Sequence, residues 1–137
     1  MGWNDDVIDE FRSSGGRVDS KGFGGSLILV HHRGARTGIE RIVPLLAVTE
    51  PGGWMIIASK GGAPTHPDWY HNLLAHPDVE IEVPAEGGVR TVPVHVDEVG
   101  DADYEAEFAK FVAKSSAFPR YAERAGRRMP ILRLTPR

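Results

Sequence analysis

Cysteine and long apolar runs are both missing from this sequence. The absence of cysteine excludes disulfide bonds and thiolate metal ligands. No apolar run approaches the roughly 20 residues that a membrane-spanning helix needs. The N-terminal segment MGWNDDVIDEF is acidic and lacks the positive end of a secretory signal. These absences predict a cytoplasmic protein.

The composition is that of an ordinary globular chain. The sequence has 137 residues, of which 41% are hydrophobic and 26% are charged. A chain of this length suits one domain over residues 1–137, with a single core and no room for a second catalytic domain.

The net charge is small, but the charged residues are unevenly distributed. The net charge is −3, yet residues 120–137 contain six arginines and a single acid, Glu123. Arg33, Arg36, Arg41 and Lys60 lie in another stretch that also carries most of the histidines. A nucleic-acid protein would show a wider basic face. A few placed cations instead favour a small anionic ligand.

Hydrophobic periodicity predicts short strands and a few helices. Trp3, Val7, Ile8 and Phe11 share one helical face, and Asn4 is a candidate N-cap for that helix. Further helices are predicted over 67–75, from residue 101 onward, and briefly after residue 119. Strands are predicted over 26–32, 39–49, 54–59, 79–83, 89–99 and 129–134.

The order of these elements favours an α+β fold. About six strands, mainly antiparallel, and three or four peripheral helices predict a small barrel. Pro44 lies inside the second strand and donates no backbone N–H, so that strand is expected at an edge or a bulge. No βαβ alternation supports a Rossmann sheet.

The first candidate motif is the arginine loop, RGARTG at residues 33–38, followed by Arg41. Gly34 and Gly38 allow sharp turns, and successive N–H groups of such a loop can bind an anion. Arg36 and Arg41 would add charged forks. Spacing alone also fits a solvated hairpin loop, and the ending lacks the lysine and hydroxyl of a P-loop.

The second candidate motif is the glycine turn, SKGGAPT at residues 59–65, which leads from a strand into a helix. Free N–H groups at a helix start favour negative charge, and Lys60 adds a cation. Thr65 and Asp68 have the spacing of a capping box. A plain strand-to-helix connection explains the glycines equally well. On the helix itself, Trp69 and Asn72 fall on one face, which is either core or pocket wall.

Other catalytic patterns are weak. The histidines show no metal-ligand spacing, and no serine lies in a GxSxG elbow, so neither a metal site nor a hydrolase triad is expected. Glu80 and Glu82 share a strand face, where solvation is the simplest interpretation. Tyr121 is either a proton donor or a packing residue.

Two long segments resemble a known family. GARTGIERIVPL and ASKGGAPTHPDWYHNL, together with the terminal YAERAGRRMPILRLTP, resemble the deazaflavin-dependent nitroreductases of actinobacteria. The resemblance implies a split β-barrel related to proteins that bind flavin mononucleotide (FMN). It also implies coenzyme F420, an 8-hydroxy-5-deazaflavin with a phosphate and a polyglutamate tail.

The resemblance also implies roles for individual residues. The tail or phosphate would meet the arginine loop, and the ring would lie on the glycine turn. Ser59 and Tyr121 are the candidate catalytic side chains, with water as the alternative proton source. The implied coenzyme-binding residues are Arg36, Thr37, Gly38, Arg41, Pro44, Ser59, Lys60, Gly61, Gly62, Pro64, Trp69 and Asn72. One departure bears on tail affinity: Ala35 stands where the family has an arginine, and Arg33 is the candidate to replace it.

The implied function is hydride transfer from reduced F420 to a small acceptor such as a quinone, an enone or a nitroaromatic. The alternatives are a non-catalytic carrier of deazaflavin or lipid, and a reductase that prefers FMN. The helix within residues 1–16 would either cover the acceptor or simply pack. Contact with a membrane to reach quinones, and a monomer or homodimer, remain open; nucleic acid is not expected as a partner.

Overall fold

The fold is built on one curled antiparallel sheet. A computed structural model describes residues 2–137. Its strands are β1 (Leu27–Arg33), β2 (Glu40–Leu46), β3 (Val48–Glu50), β4 (Gly53–Ile57), β5 (Asp78–Ala85), β6 (Gly88–Glu98) and β7 (Ile131–Pro136). Its helices are α1 (Trp3–Ser13), α2 (Asp68–Ala75), α3 (Asp101–Lys114) and α4 (Ala117–Ala125).

The sheet closes on itself through one stretch of chain. Its strand order is β2-β1-β5-β6-β7-β4-β3, and every pairing is antiparallel. Only Ala47 separates β2 from β3, so the two ends of the order are successive parts of the same segment. The α+β prediction with mainly antiparallel strands and peripheral helices is therefore confirmed.

The predicted strand over 39–49 is divided in the structure. Its first part pairs with β1 and its second with β4, and the exchange of partner takes place at Ala47. The Ala47 N–H donates to the Ser26 carbonyl at 3.0 Å. Pro44 lies in β2, at one end of the sheet order, where its missing N–H removes no bond from a second neighbour.

Three predicted helix starts differ by a residue or two. Gly2 rather than Asn4 precedes α1, Pro67 rather than Thr65 precedes α2, and Gly100 precedes α3. None of these starts has a hydrogen bond from an N-cap side chain, so the predicted capping roles of Asn4 and Thr65 are wrong. The acids Asp5, Asp68 and Asp101 instead lie in the first turns, where the helix dipole favours them.

Three apolar clusters hold the helices on the sheet. The interior of the barrel is filled from β1, β4, β5, β6 and β7, and Trp69, Tyr70 and Leu73 of α2 close one end of it. A second cluster joins α3 and α4 to β4 and β7 through Phe111 and Phe118. The third places Val7 and Phe11 of α1 on β1.

The docking of α1 corrects the interpretation of Glu82. This carboxylate is only 7% exposed, because α1 covers its face of β5. Arg12 of α1 donates two hydrogen bonds to it, at 2.9 and 2.7 Å, and His31 Nε2 lies 2.7 Å away. The Arg12 guanidinium holds the pKa of Glu82 below its ordinary value. Glu80 alone is exposed as expected.

Candidate functional site

The arginine loop forms one wall of a large polar cleft. This cleft, the arginine cleft, has a volume of about 910 Å³. Its other walls come from α2 and from the first residues of α1. The lining residues are Asn4, Asp5, His32, Gly34, Ala35, Arg36, Thr37, Arg41, Ile42, Val43, Asp68, Trp69, His71 and Asn72.

The arginine loop is closed by its own backbone. The Gly34 N–H donates to the Ile39 carbonyl at 3.0 Å, and the Gly38 N–H donates to the Gly34 carbonyl at 2.9 Å. Gly38 has a φ of +70°, a left-handed conformation that favours glycine. Arg36 is exposed at the tip of this turn, between Gly34 and Gly38, whose backbone hydrogen bonds close the loop.

Two guanidinium groups in the arginine cleft are free to meet a ligand. Arg36 and Arg41 are exposed and form no ion pair with any carboxylate in residues 2–137. Arg33, in contrast, lies 3.8 Å from Glu40. Arg33 is absent from the lining of the arginine cleft, and its compensation for Ala35 stays a prediction.

Asn72 fastens the arginine loop to α2. Its side-chain oxygen accepts the Ala35 N–H at 2.9 Å, and its amide nitrogen lies 3.0 Å from His32 Nδ1. Helical spacing predicts only that Asn72 shares a face with Trp69, as core or pocket wall. The structure makes it a link between β1 and the arginine loop.

The glycine turn has an unusual backbone. Lys60, Gly61 and Gly62 all have positive φ, at 47°, 62° and 88°. For lysine this region is sparsely populated and costs on the order of 1 kcal/mol. The Lys60 ammonium extends to 3.4 Å from Thr65 Oγ1 across the turn. The strained residue is therefore the one that carries the charge.

Arg127 holds the glycine turn and was missed from the sequence. Its guanidinium donates to four backbone carbonyls and contacts His66 Nδ1, in five hydrogen bonds of 2.9 to 3.2 Å. The four carbonyls belong to Ala58, Ser59, Ala63 and Thr65. The arginine-rich C-terminal segment was visible in the sequence, but no local pattern distinguishes a clamp from a surface arginine.

A second, more apolar cleft is lined in part by the glycine turn. It measures about 530 Å³ and is called the apolar cleft below. Its lining residues are Trp3, Asn4, Phe23, Pro44, Leu45, Leu46, Ile57, Ser59, Lys60, Gly61, Trp69, Ser115, Ala117, Phe118 and Tyr121.

Helix α4 meets the glycine turn closely at one point. A Cβ on Gly62 would lie 3.1 Å from Tyr121 Cα and 3.2 Å from its carbonyl oxygen, so only glycine fits there. A Cβ on Gly61 would meet nothing within 4 Å. The turn thus presents a buried glycine to α4 and an open glycine to the apolar cleft. Phe118 and Tyr121 contact each other edge to face, with ring centroids 5.9 Å apart.

The two clefts adjoin. Asn4 of α1 and Trp69 of α2 line both of them. Trp3, which is 52% exposed, lies at the apolar end and contacts Phe23 edge to face at 6.0 Å. Helix α1 packs through Val7 and Phe11 in the core, and its first turn borders the clefts; its covering of an acceptor stays a prediction.

Burial controls the protonation of several side chains around α2. It lowers the pKa of His32, which the Arg41 guanidinium lowers further. It also lowers the pKa of His66, with Arg127 as the next cause. Burial and the hydrogen bond to Glu98 raise the pKa of Tyr70 to about 12. Tyr70 is thus a donor to Glu98 Oε1 at 2.7 Å throughout the physiological range.

The structure brings most of the predicted site residues together. Five of them line the arginine cleft: Arg36, Thr37, Arg41, Trp69 and Asn72. Six line the apolar cleft: Pro44, Ser59, Lys60, Gly61, Trp69 and Tyr121. Gly38, Gly62 and Pro64 line neither, and the first two serve the backbone in the ways just described. The roles of all these residues toward a coenzyme stay predictions.

Two further findings concern metals and membranes. Among residues 2–137, no three His, Cys, Asp or Glu side chains are grouped as metal ligands would be. In the same residues, no helix combines the length and apolar character needed to span a bilayer.

Comparison with known proteins identifies relatives over nearly the whole chain. A family model described as F420H(2)-dependent quinone reductase matches residues 3–136. An F420H(2)-dependent quinone reductase of Mycobacterium tuberculosis is 37% identical over 131 residues, which cover 93% of this chain and 85% of the relative. A protein of Mycobacterium bovis with a related description has the same identity and coverage.

Solved structures agree with this assignment. An F420-H2 dependent reductase, FDR-A, superposes with a TM-score of 0.70 at 30% identity, covering 80% of this chain and 93% of its own. A structure described as a domain-swapped dimer matches with a TM-score of 0.72 at 27% identity, covering 95% of this chain and 97% of its own. The split-barrel prediction is thereby confirmed. From residue 3 to residue 136, then, this chain belongs to the F420H(2)-dependent quinone reductase family.

Proposed function

We propose that the protein transfers hydride from reduced coenzyme F420 to a quinone. The observation that carries the proposal, given the family, is that a cationic cleft and an apolar cleft adjoin at Asn4 and Trp69. F420 has one anionic end and one flat aromatic end, and a site for it needs both environments side by side.

The arginine cleft suits the anionic end of the coenzyme. Arg36 and Arg41 have no competing carboxylate partner among the described residues, and their guanidinium forks match phosphate and carboxylate geometry. Asp5 and Asp68 line the same cleft, so its charge is mixed. The anion is therefore expected against the arginine-loop side, away from α1 and the start of α2.

The glycine turn suits the ring. Gly61 faces open space, so a flat aromatic group can lie over the backbone without meeting a side chain. Arg127 fixes the turn from behind, which keeps this surface rigid. When bound and reduced, the deazaflavin supplies a hydride at its carbon 5. The protein's share is to position the ring and exclude water.

The remaining walls of the apolar cleft suit a quinone. Trp3, Phe23 and Phe118 offer aromatic contact to a planar acceptor. Two hydroxyl groups, of Ser59 and Tyr121, line the same space. The Tyr121 hydroxyl makes no hydrogen bond within residues 2–137, so its proton is available to an acceptor oxygen. We propose Tyr121 as the proton donor and Ser59 as a hydrogen-bond donor beside it.

Binding and turnover test the proposal together. Oxidised F420 is titrated into the protein, with FMN as a competitor. Reduced F420 is then mixed with a panel of quinones, enones and nitroaromatics while deazaflavin absorbance is followed. We expect F420 to bind more tightly than FMN, and absorbance to recover fastest with quinones.

Other outcomes would contradict the proposal in distinct ways. Tight binding without acceptor-dependent oxidation would indicate a carrier. Stronger binding of FMN than of F420 would identify FMN as the coenzyme instead. Faster turnover of nitroaromatics than of any quinone would change the acceptor class but leave hydride transfer intact.

A further inference from the structure

The side chain of Asn72 connects a histidine of the sheet to the arginine loop. His32 and Asn72 are 6% and 9% exposed. Asn72 Oδ1 lies 2.9 Å from the Ala35 nitrogen, and Asn72 Nδ2 lies 3.0 Å from His32 Nδ1. These three residues come from β1, α2 and the loop that carries Arg36.

The direction of these hydrogen bonds is fixed from one end. A backbone N–H can only donate, so the group that faces Ala35 must be the Asn72 carbonyl oxygen. The Asn72 amide then faces His32 with its NH₂ group, which also only donates. His32 Nδ1 must therefore accept, with its ring proton on Nε2.

We propose that neutral His32 is a positioning residue that acts through Asn72 to hold the arginine loop in its binding conformation. The identity of the anion held there rests on the function proposed above. The hydrogen-bonded series His32–Asn72–Ala35, called the relay below, forms in the protein without its coenzyme.

A second proton on His32 is incompatible with this arrangement. Protonated histidine carries N–H groups on both nitrogens, so Nδ1–H would oppose the Asn72 NH₂. Rotating the amide would satisfy His32 but would turn a donor toward the Ala35 N–H. Protonation of His32 therefore breaks one of the two hydrogen bonds of Asn72 whichever way the amide turns, and the arginine loop loses either its bond or the support behind that bond.

The surroundings of His32 keep it neutral near pH 7. Burial has the largest effect, and Arg41, opposite on β2, and His31, adjacent on β1, also oppose the charged ring. Asp68 of α2 favours the charged ring. Asp5 of α1 and His71 of α2 line the same cleft as His32.

Amide exchange at Ala35 measures the relay without any coenzyme. The protection factor of the Ala35 N–H is measured in the unliganded protein, and F420 affinity is measured in parallel. In His32→Leu, which has no acceptor, we expect protection to fall about fivefold to tenfold, as for the loss of one buried hydrogen bond. In His32→Asn, whose side-chain oxygen can replace Nδ1, protection and affinity should be largely restored.

The variant Asn72→Asp should abolish this pH dependence. In the native protein, Ala35 protection is expected to fall as the pH is lowered through the titration of His32. An aspartate accepts from both Ala35 and His32, and His32 Nδ1 can carry a proton in the neutral and in the charged ring, so protection should no longer fall as the pH is lowered. His95→Gln, on the distant face of β6, is the control that removes a histidine without touching the relay.

Two results would overturn the inference. One is equal Ala35 protection in the native protein and His32→Leu; the other is the same pH dependence in the native protein and Asn72→Asp. Neither result depends on F420. If the native protein failed to bind F420, the proposed function would be wrong while the Ala35 data still decided the relay.

Discussion

The cations of this protein differ sharply in whether other groups of the protein already bind them. Arg127 is fully engaged by the glycine turn, and Arg12 by Glu82, so both are structural. Arg36 and Arg41 have no acidic partner in the described residues. Lys60 reaches only Thr65, at 3.4 Å. Arg36, Arg41 and Lys60 are therefore the cations that can bind a polyanion.

Removing these cations should affect binding and not folding. For Arg41→Ala and Lys60→Ala we expect F420 affinity to fall about tenfold to a hundredfold, since each loses a charge-assisted contact. The free energy of unfolding should change by less than about 0.5 kcal/mol. Arg90→Ala, an exposed arginine on β6, is the matched control. Unchanged affinity in both cleft variants would contradict the assigned site.

Tyr121 can be tested by removing only its hydroxyl. In Tyr121→Phe the contact with Phe118 is kept, so coenzyme affinity and stability should stay close to native. Loss of a proton donor should lower kcat about a hundredfold. Steady-state kinetics with one quinone separate kcat from KM. A native rate would make Tyr121 a packing residue.

Among the elements, the glycine turn depends most on a distant segment. Its backbone carbonyls are held by Arg127, which follows α4, and its buried glycine is held by Tyr121 within α4. The turn is thus shaped from the far end of the chain. This explains how a strained lysine backbone persists at Lys60.

Replacing the clamp should loosen the turn. In Arg127→Gln most of the five hydrogen bonds are lost, and we expect the free energy of unfolding to fall by about 1–3 kcal/mol. Urea denaturation measures this loss, and amide exchange at Gly62 and Ala63 localises it. Arg124→Gln, which loses a single 3.4 Å contact to the Gly61 carbonyl, is the control and should have a much smaller effect. Equal effects in both variants would refute the clamp.

The local sequence pattern predicted the positions of helices and strands well, but it predicted poorly which elements pack or pair with each other. Apolar periodicity placed α1, α2 and most strands within a few residues, because it reflects which face of each element is buried. The break at Ala47 was missed because a change of strand partner leaves no mark in the local sequence. Glu82 was misjudged for the same reason: its cover comes from α1, some seventy residues earlier.

The candidate site was predictable to the extent that its residues lie in recognisable segments. Arg36, Lys60 and Tyr121 were singled out from local patterns, the resemblance gave them roles, and the structure brings them to adjoining clefts. His32 and Arg127 were not found, because each acts through hydrogen bonds to distant backbone or side chains. Such supporting residues carry no motif of their own.

The whole molecule should lose stability in mild acid. His32 and His66 have pKa values below the ordinary 6.5, so the unfolded chain binds protons more readily than the folded one. Stability should therefore fall as the pH drops below about 6.5 and level off below the folded pKa values. Thermal unfolding between pH 7.5 and 5 measures this.

His95 works in the opposite direction. Asp78 raises its pKa, so its contribution is present below 6.5 and is lost as the pH rises through the folded value. It lies on the surface, and its effect should be small. In His95→Gln the loss of stability in acid should persist and become slightly steeper. A melting temperature that did not fall on acidification in this variant would contradict the assignment to His32 and His66.

The position of β7 between β6 and β4 has a consequence for biosynthesis. The final strand, Ile131–Pro136, is the bridge between the early hairpin β3–β4 and the later hairpin β5–β6. Until it emerges from the ribosome, these two hairpins have no common neighbour on that side, and β4 cannot set the glycine turn in place. A nascent chain stalled before this segment should therefore be protease-sensitive throughout, and competence for the coenzyme should arise in one late step.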